Sequence, residues 1–164
     1  MFENCRYDGN DVIYANNVTI VSKTKDLPFM SNTFDTIIST ECFEHDPEYK
    51  ESFLKIYDML QPGGLFCFTC ASTGRAEHGT RRTSPRESYG TIGQFDDMCD
   101  YYKNLTELDV NDVLSFNDRF EVWDIYYNHW SKDLYFVGIK KGKGSCPVLP
   151  RYQCRFVYCM SHHI

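Results

Sequence analysis

Residues 26–73, DLPFMSNTFDTIISTECFEHDPEYKESFLKIYDMLQPGGLFCFTCAST, constrain the fold of this chain more than any other stretch. Phe34 to Thr40 reads as a strand, and the consecutive Ile37 and Ile38 predict burial on both of its faces. Asp46 suits a helix N-cap, and Pro47 suits the first helical position, where a missing N–H costs nothing. Tyr49, Phe53, Ile56, Tyr57 and Leu60 recur at three- and four-residue steps, which gives a helix one apolar stripe to lay on a sheet. Gln61-Pro62-Gly63-Gly64 ends that helix, because Gly accepts a left-handed cap and Pro cannot continue the turn. Leu65 to Ala71 reads as a second buried strand. Two strands joined through one helix pair in parallel, by a right-handed crossover. The stretch is therefore a βαβ unit, and the chain on either side is expected to add sheet to it.

Ahead of this unit a short strand is predicted through Arg6 to Asp11, beside the turn residues Asp8-Gly9-Asn10. The β-branched run Val18-Thr19-Ile20-Val21 predicts another. After the unit, residues 74–93 are polar, basic and aperiodic, and a loop of that length in a compact domain is usually functional or disordered. A short helix is predicted within Phe95 to Leu105, and a second from Thr106 to near Phe116. Phe120 to Tyr127 and Asp133 to Lys140 are aromatic-rich and read as a terminal antiparallel pair. The GKGSCP break closes the domain, so the expected organisation is one α/β domain over residues 1–143 and an irregular tail over 144–164.

Composition narrows the function classes. With 164 residues and a net charge of -6, the chain is long enough for one real core, and nonspecific nucleic-acid binding is not expected. No run of ~18 apolar residues occurs, and the N-terminus lacks the charge-then-apolar order of a secretion signal. The reading is a cytoplasmic protein with reduced thiols and no membrane partner. Cys42, Cys67 and Cys70 sit in apolar or strand contexts and read as buried free thiols. Cys146, Cys154, Cys159, His162 and His163 crowd the tail, but their spacing fits no zinc pattern of closely paired ligands.

In an open parallel sheet, ligands bind beyond the carboxyl ends of the strands. Here that selects Asp11, the Ser22–Lys25 loop, Ser39 to His45, and Ala71 to Arg82, where the polar residues gather. Asp26-Leu27-Pro28-Phe29, Asn32-Thr33-Phe34-Asp35, Glu41-Cys42-Phe43-Glu44-His45 and Leu60-Gln61-Pro62-Gly63-Gly64 stand in order. Together they resemble the type 11 branch of class I S-adenosylmethionine-dependent methyltransferases. The resemblance covers about residues 6 to 141, is dense only from 26 to 73, and implies a Rossmann-like, mostly parallel sheet with a C-terminal antiparallel pair.

The resemblance also implies roles. Asp11 would hydrogen-bond the ribose hydroxyls of S-adenosylmethionine, as a carboxylate accepting two bonds at once; the plainer reading is a turn aspartate. The loop after Val21, with Lys23 and Thr24, would contact the adenine, although many relatives carry Asp where Lys23 stands. Thr40 and Glu41 would line the methionine part of the cofactor. His45 would face the transferred methyl and act as a base, with a pKa near operating pH; alternatively it fixes its loop by bonding backbone. Glu41-x-x-Glu44-His45 also resembles the metal-binding set of some small-molecule and RNA ribose methyltransferases, but the same letters recur in relatives without metal, and no metal is expected. His78, Arg81 and Arg82 suit a phosphate or carboxylate on a small-molecule acceptor such as a nucleotide-linked sugar or saccharide; the alternative is a solvated basic loop.

Relatives begin with a strand that ends in a glycine-rich turn, and nothing here matches it. The domain is therefore expected to be incomplete at its N-terminus, with a gap in the sheet or exposed edges that favour homo-oligomers. The two functional expectations are methyl transfer from S-adenosylmethionine to a small-molecule or sugar-type acceptor, and a noncatalytic methyltransferase-like fold that binds a partner. A nicotinamide-dependent Rossmann enzyme is disfavoured by the same missing turn.

Overall fold

The described residues build two sheets and an aromatic core. The computed structural model describes residues 6–88, 92 and 95–143; the Cys- and His-bearing tail lies outside the described residues. Strands β1 (Asn10–Asp11) and β2 (Ile20–Val21) pair in parallel as a small sheet. Strands β3 (Phe34–Thr40), β4 (Leu60–Ala71), β5 (Phe120–Asn128) and β6 (Asp133–Lys140) form a second sheet in the order β3-β4-β6-β5. β3 and β4 run parallel, and only β6 runs against its neighbours. Helix α1 (Tyr49–Met59) makes the β3-to-β4 crossover, and α2 (Glu107–Leu114) and α3 (Phe116–Arg119) precede β5.

The sheet pattern follows from the residues. Leu60, Phe66, Phe68 and Cys70 of β4 are buried, and so are Leu134 and Phe136 of β6. They meet Phe43, Phe53, Ile56, Leu105, Val110, Leu114 and Phe116 in one core. Phe68 and Phe136 stack at 5.3 Å, and Phe116 stacks on Phe136 at 5.0 Å. Side chains alternate across a strand, so the opposite face carries Cys67 and Thr69 with Val122 and Tyr126, the last two exposed. That one-sidedness corrects the expectation for Ile37 and Ile38. Ile37 packs on the core, whereas Ile38 is 50% exposed, because the helices among the described residues cover one face only.

Boundaries shift for physical reasons. Glu48, not Asp46, stands immediately before α1 and makes no side-chain cap, while Asp46 accepts from the Glu48 N–H at 2.8 Å and the Ser52 hydroxyl at 2.6 Å. The Gln61–Gly64 break belongs to β4: Phe34 pairs with Leu60, then Thr36 with Leu65, and the extra residues bulge out with Gly63 at φ 77°. Residues 96–100 form turns, and no helix runs from Phe95 to Leu105 as expected from the sequence. The helix that opens at Thr106 is present, closed by a reciprocal Thr106–Asp109 capping box. No strand among the described residues pairs the β1-β2 sheet with β3, so the two sheets remain separate.

Candidate active site

The carboxyl ends of β1, β2, β3 and β4 carry most of the polar residues selected from the sequence. Asp11 ends β1 in the open, where its carboxylate accepts from the N–H groups of Val12 at 2.6 Å and Ile13 at 3.3 Å. After β2, Thr24 donates its hydroxyl to the Asn10 side chain at 3.2 Å. Lys23 is clasped instead by acids, donating to Glu48 at 2.9 Å and to Asp97 at 2.5 Å. Burial works against its charge, but those two hydrogen bonds outweigh it and hold the ammonium above its usual range. Its placement beside two carboxylates answers why a lysine is tolerated there.

Thr40 ends β3, and Glu41 turns the chain with a left-handed φ of 49° while its N–H still reaches the Thr69 carbonyl at 2.9 Å. The turn drives Phe43, Glu44 and His45 inward as a single 3-10 turn. Phe43 is fully buried and anchors it. Glu44 is fully buried too, its two carboxylate oxygens without hydrogen-bond partners. Burial, and next the neighbouring Glu41 charge, push the Glu44 carboxyl far above its ordinary value; the backbone N–H groups of Glu44 and Ala71 oppose this weakly, without completing a hydrogen bond.

His45 differs from the sequence expectation in its proton affinity. Burial, then the adjacent His78, pull it down to about 4, so it is a neutral imidazole well below operating pH rather than poised near it. His78 arrives from the loop after β4, and the two rings meet edge to face at 5.0 Å. Tyr102 packs on both, 5.6 Å from His45 and 5.0 Å from His78. Acidity pervades the neighbourhood: burial pushes the Cys42 thiol up to about 12, helped by the carboxylates of Asp46, Glu44 and Asp11.

Arg81 and Arg82 do not join His78. Arg81 grips Asp100 through Nε at 3.0 Å and a terminal nitrogen at 2.6 Å. Arg82 donates to Glu77 at 3.1 Å and to the Asp100 carbonyl at 2.9 Å. Sequence reasoning did not give Tyr102 or Asp100 a place here, and a lone Tyr or Asp in an aperiodic loop carries no signal that could. Glu44 stood in a motif, but its total burial without a partner is visible only in three dimensions.

Comparison with known proteins agrees with this architecture. The methyltransferase domain family Methyltransf_11 matches residues 1–68. Phosphoethanolamine N-methyltransferase 2 of Caenorhabditis elegans is 34% identical over 53 residues, which is 32% of this chain and 12% of that protein. A malonyl-[acyl-carrier protein] O-methyltransferase of Calditerrivibrio nitroreducens is 26% identical over 94 residues, 57% of this chain and 38% of that protein. Among solved structures, Burkholderia thailandensis 1,6-didemethyltoxoflavin-N1-methyltransferase superposes with TM-score 0.52 at 15% identity, covering 81% of this chain and 60% of that one. The Haemonchus contortus phosphoethanolamine N-methyltransferase 2 superposes with TM-score 0.50 at 14% identity, covering 74% and 37%. The chain thus spans well under half the length of these curated relatives. Its fold is that of a Rossmann-like methyltransferase domain. By fold and by the match of residues 1–68, the chain is similar to class I methyltransferases of the type 11 branch.

Proposed function

We propose that this domain binds S-adenosylmethionine and transfers its methyl group to a small-molecule acceptor. The observation that supports the reading is that Asp11 and Thr40 end β1 and β3, Glu41 follows β3 and Thr24 follows β2, all within the region that matches the methyltransferase family. The residues fit the group: the Asp11 carboxylate is exposed at the end of β1, and neither it nor Glu41 is spent on an ion pair among the described residues. The cofactor supplies an electrophilic methyl on a sulfonium. In this reading Asp11 accepts hydrogen bonds from the ribose hydroxyls, and Thr24 with the backbone of Ser22 to Lys25 borders the adenine. Thr40 and Glu41 border the methionine part, where a carboxylate favours positive charge.

His45, kept neutral by burial, accepts a hydrogen bond from the group being methylated. As so weak a base it orients that group more than it holds its proton. Most of the acceleration then comes from positioning acceptor and methyl in line. An anionic acceptor, such as a nucleotide-linked sugar, would engage Arg81 and Arg82 by displacing Asp100 and Glu77 from the guanidiniums. A cytoplasmic setting and self-association through the edges of β1 and β3 belong to the same proposal.

One observation favours a second reading, a methyltransferase fold that binds without turnover: the division of the sheet between β1 and β3. Calorimetry with S-adenosylmethionine decides between them. Saturable binding that Asp11→Ala weakens supports the cofactor site, and no heat at millimolar ligand overturns it.

A further inference from the structure

We propose that Glu44, His45 and His78 form a binding site for a divalent transition-metal ion of the zinc class. One ligand atom from each of these residues lies within 4.8 Å of the others, and all three residues are buried. A tetrahedral ion with bonds of ~2.0–2.2 Å wants its ligands about 3.4 Å apart. Binding would draw these three atoms closer together than they stand here.

Three independent features of the site ask for a cation. The first is Glu44, 0% exposed, whose two carboxylate oxygens lack any hydrogen-bond partner. A buried carboxylate left alone is costly, and such groups are ordinarily paired or bound to metal. No Lys or Arg ion pair to Glu44 exists among the described residues; the charge that acts on it most strongly is that of another acid, Glu41.

The second feature is the state of the imidazoles. His78 Nδ1 lies 3.1 Å from the Ala76 carbonyl, which can only accept, so Nδ1 carries the proton and Nε2 keeps a free lone pair. A backbone carbonyl on the far nitrogen is the usual way a metal-binding histidine is oriented. His45 Nδ1 is buried without a hydrogen-bond partner. The third is the rigidity of the surroundings. Tyr102 packs on both rings and donates its hydroxyl to the same Ala76 carbonyl at 3.1 Å. Gly79 sits so close that a Cβ there would lie 2.7 Å from His45 Cε1 and 2.4 Å from Ser88 Cβ.

Two imidazoles and one carboxylate are a nitrogen-rich set that suits Zn²⁺ and its neighbours, whereas Mg²⁺ and Ca²⁺ prefer oxygen alone. The set leaves a fourth position for water or for Glu41. The assignment does not depend on methyl transfer; with the ion bound, His45 serves as a ligand instead of a hydrogen-bond acceptor.

The test uses the full chain, stripped with chelator and titrated with Zn²⁺ by calorimetry and with Co²⁺ by visible absorption. The expected result is one cation per chain whose Co²⁺ spectrum shows tetrahedral d–d bands without a thiolate charge-transfer band, which excludes the cysteines of the tail. Glu44→Gln and His78→Gln should each weaken that binding by ~100-fold, by analogy with the loss on disturbing metal-site residues, while Arg81→Ala leaves it unchanged. Circular dichroism of each variant separates lost ligands from lost folding. Should a variant fail to fold, the wild-type spectrum still decides, because a thiolate signature or no d–d bands overturns the proposal. Equal affinity of wild type and the folded variants overturns it as well. S-adenosylmethionine binding, measured on the same metal-free chain, can succeed or fail independently.

Discussion

The rings of Phe43 and Phe53 lie 4.2 Å apart, tilted by 35°, and join the inward turn of Glu44 and His45 to helix α1. Phe53 also meets Phe66, Phe68 and Tyr49, and is fully buried. Truncating it opens a cavity in the core and removes the wall on which the turn leans. Phe53→Ala should cost about 3–5 kcal/mol in denaturant unfolding. Faster hydrogen exchange at the His45 amide, relative to that at β6 amides, should accompany the loss; an equal change at both would mean that the turn does not depend on this contact.

The helix that follows the long loop makes a second, pH-dependent prediction. The Asp109 carboxylate accepts from the Thr106 N–H at 2.9 Å and its hydroxyl at 2.7 Å, while Lys103 donates to it from the other side. Burial alone would raise its pKa, but the hydrogen bonds from Lys103 and Thr106 prevail and hold it below 3.8. The folded value is thus lower than the unfolded one, so this stability is present above pH 3.8 and lost as pH falls below it. Thr106→Ala should cost about 1 kcal/mol at neutral pH. Asp109→Asn should be destabilising near neutrality, with the difference from wild type shrinking in acid; a constant difference down to strongly acidic pH would contradict the ionised cap.

The elements that the sequence made legible are those with a period or a chemical stop. α1 shows its apolar stripe, β6 its run of aromatic residues and α2 its opening at Thr106, and all three elements are present, α1 with shifted ends. Ile38 was misread because a strand's letters cannot say whether a second layer covers its far face, and here it is 50% exposed. The candidate site was legible strand end by strand end. What could not be read was the meeting of His78 and Tyr102 with His45, or the pairing of Arg81 with Asp100, since these contacts join aperiodic loops.

Gly138 in β6 is a packing position rather than a turn. A Cβ there would stand 2.6 Å from Phe120 Cδ1 and 2.7 Å from Phe136 Cζ, both rings of the core. Neither ring can retreat easily, because Phe136 also stacks on Phe68 and Phe116. Gly138→Ala should therefore destabilise by about 1–3 kcal/mol, despite alanine's better strand entropy. Thermal unfolding measures it, and a raised midpoint would show that the rings have room to move.

Arg75 and Asp133 bind the start of the His78 loop to the start of β6. The guanidinium donates to the Asp133 carboxylate at 2.9 Å and, from the same nitrogen, to the Ser131 carbonyl at 2.8 Å. The Asp133 side chain is only 8% exposed, against 34% for Arg75, so the acid depends on this partner more than the arginine does. Removing Arg75 alone leaves a nearly buried carboxylate unpaired, a loss of about 1–3 kcal/mol. Arg75→Met should therefore be costlier than the double change Arg75→Met with Asp133→Asn, which takes away the stranded charge along with its partner. A double-mutant cycle in denaturant reads the coupling directly. Additive effects of the two substitutions would mean that solvent already screens the pair, and that the loop is held by Asn104 to the Arg75 carbonyl and by the Ser72–Leu105 bond instead.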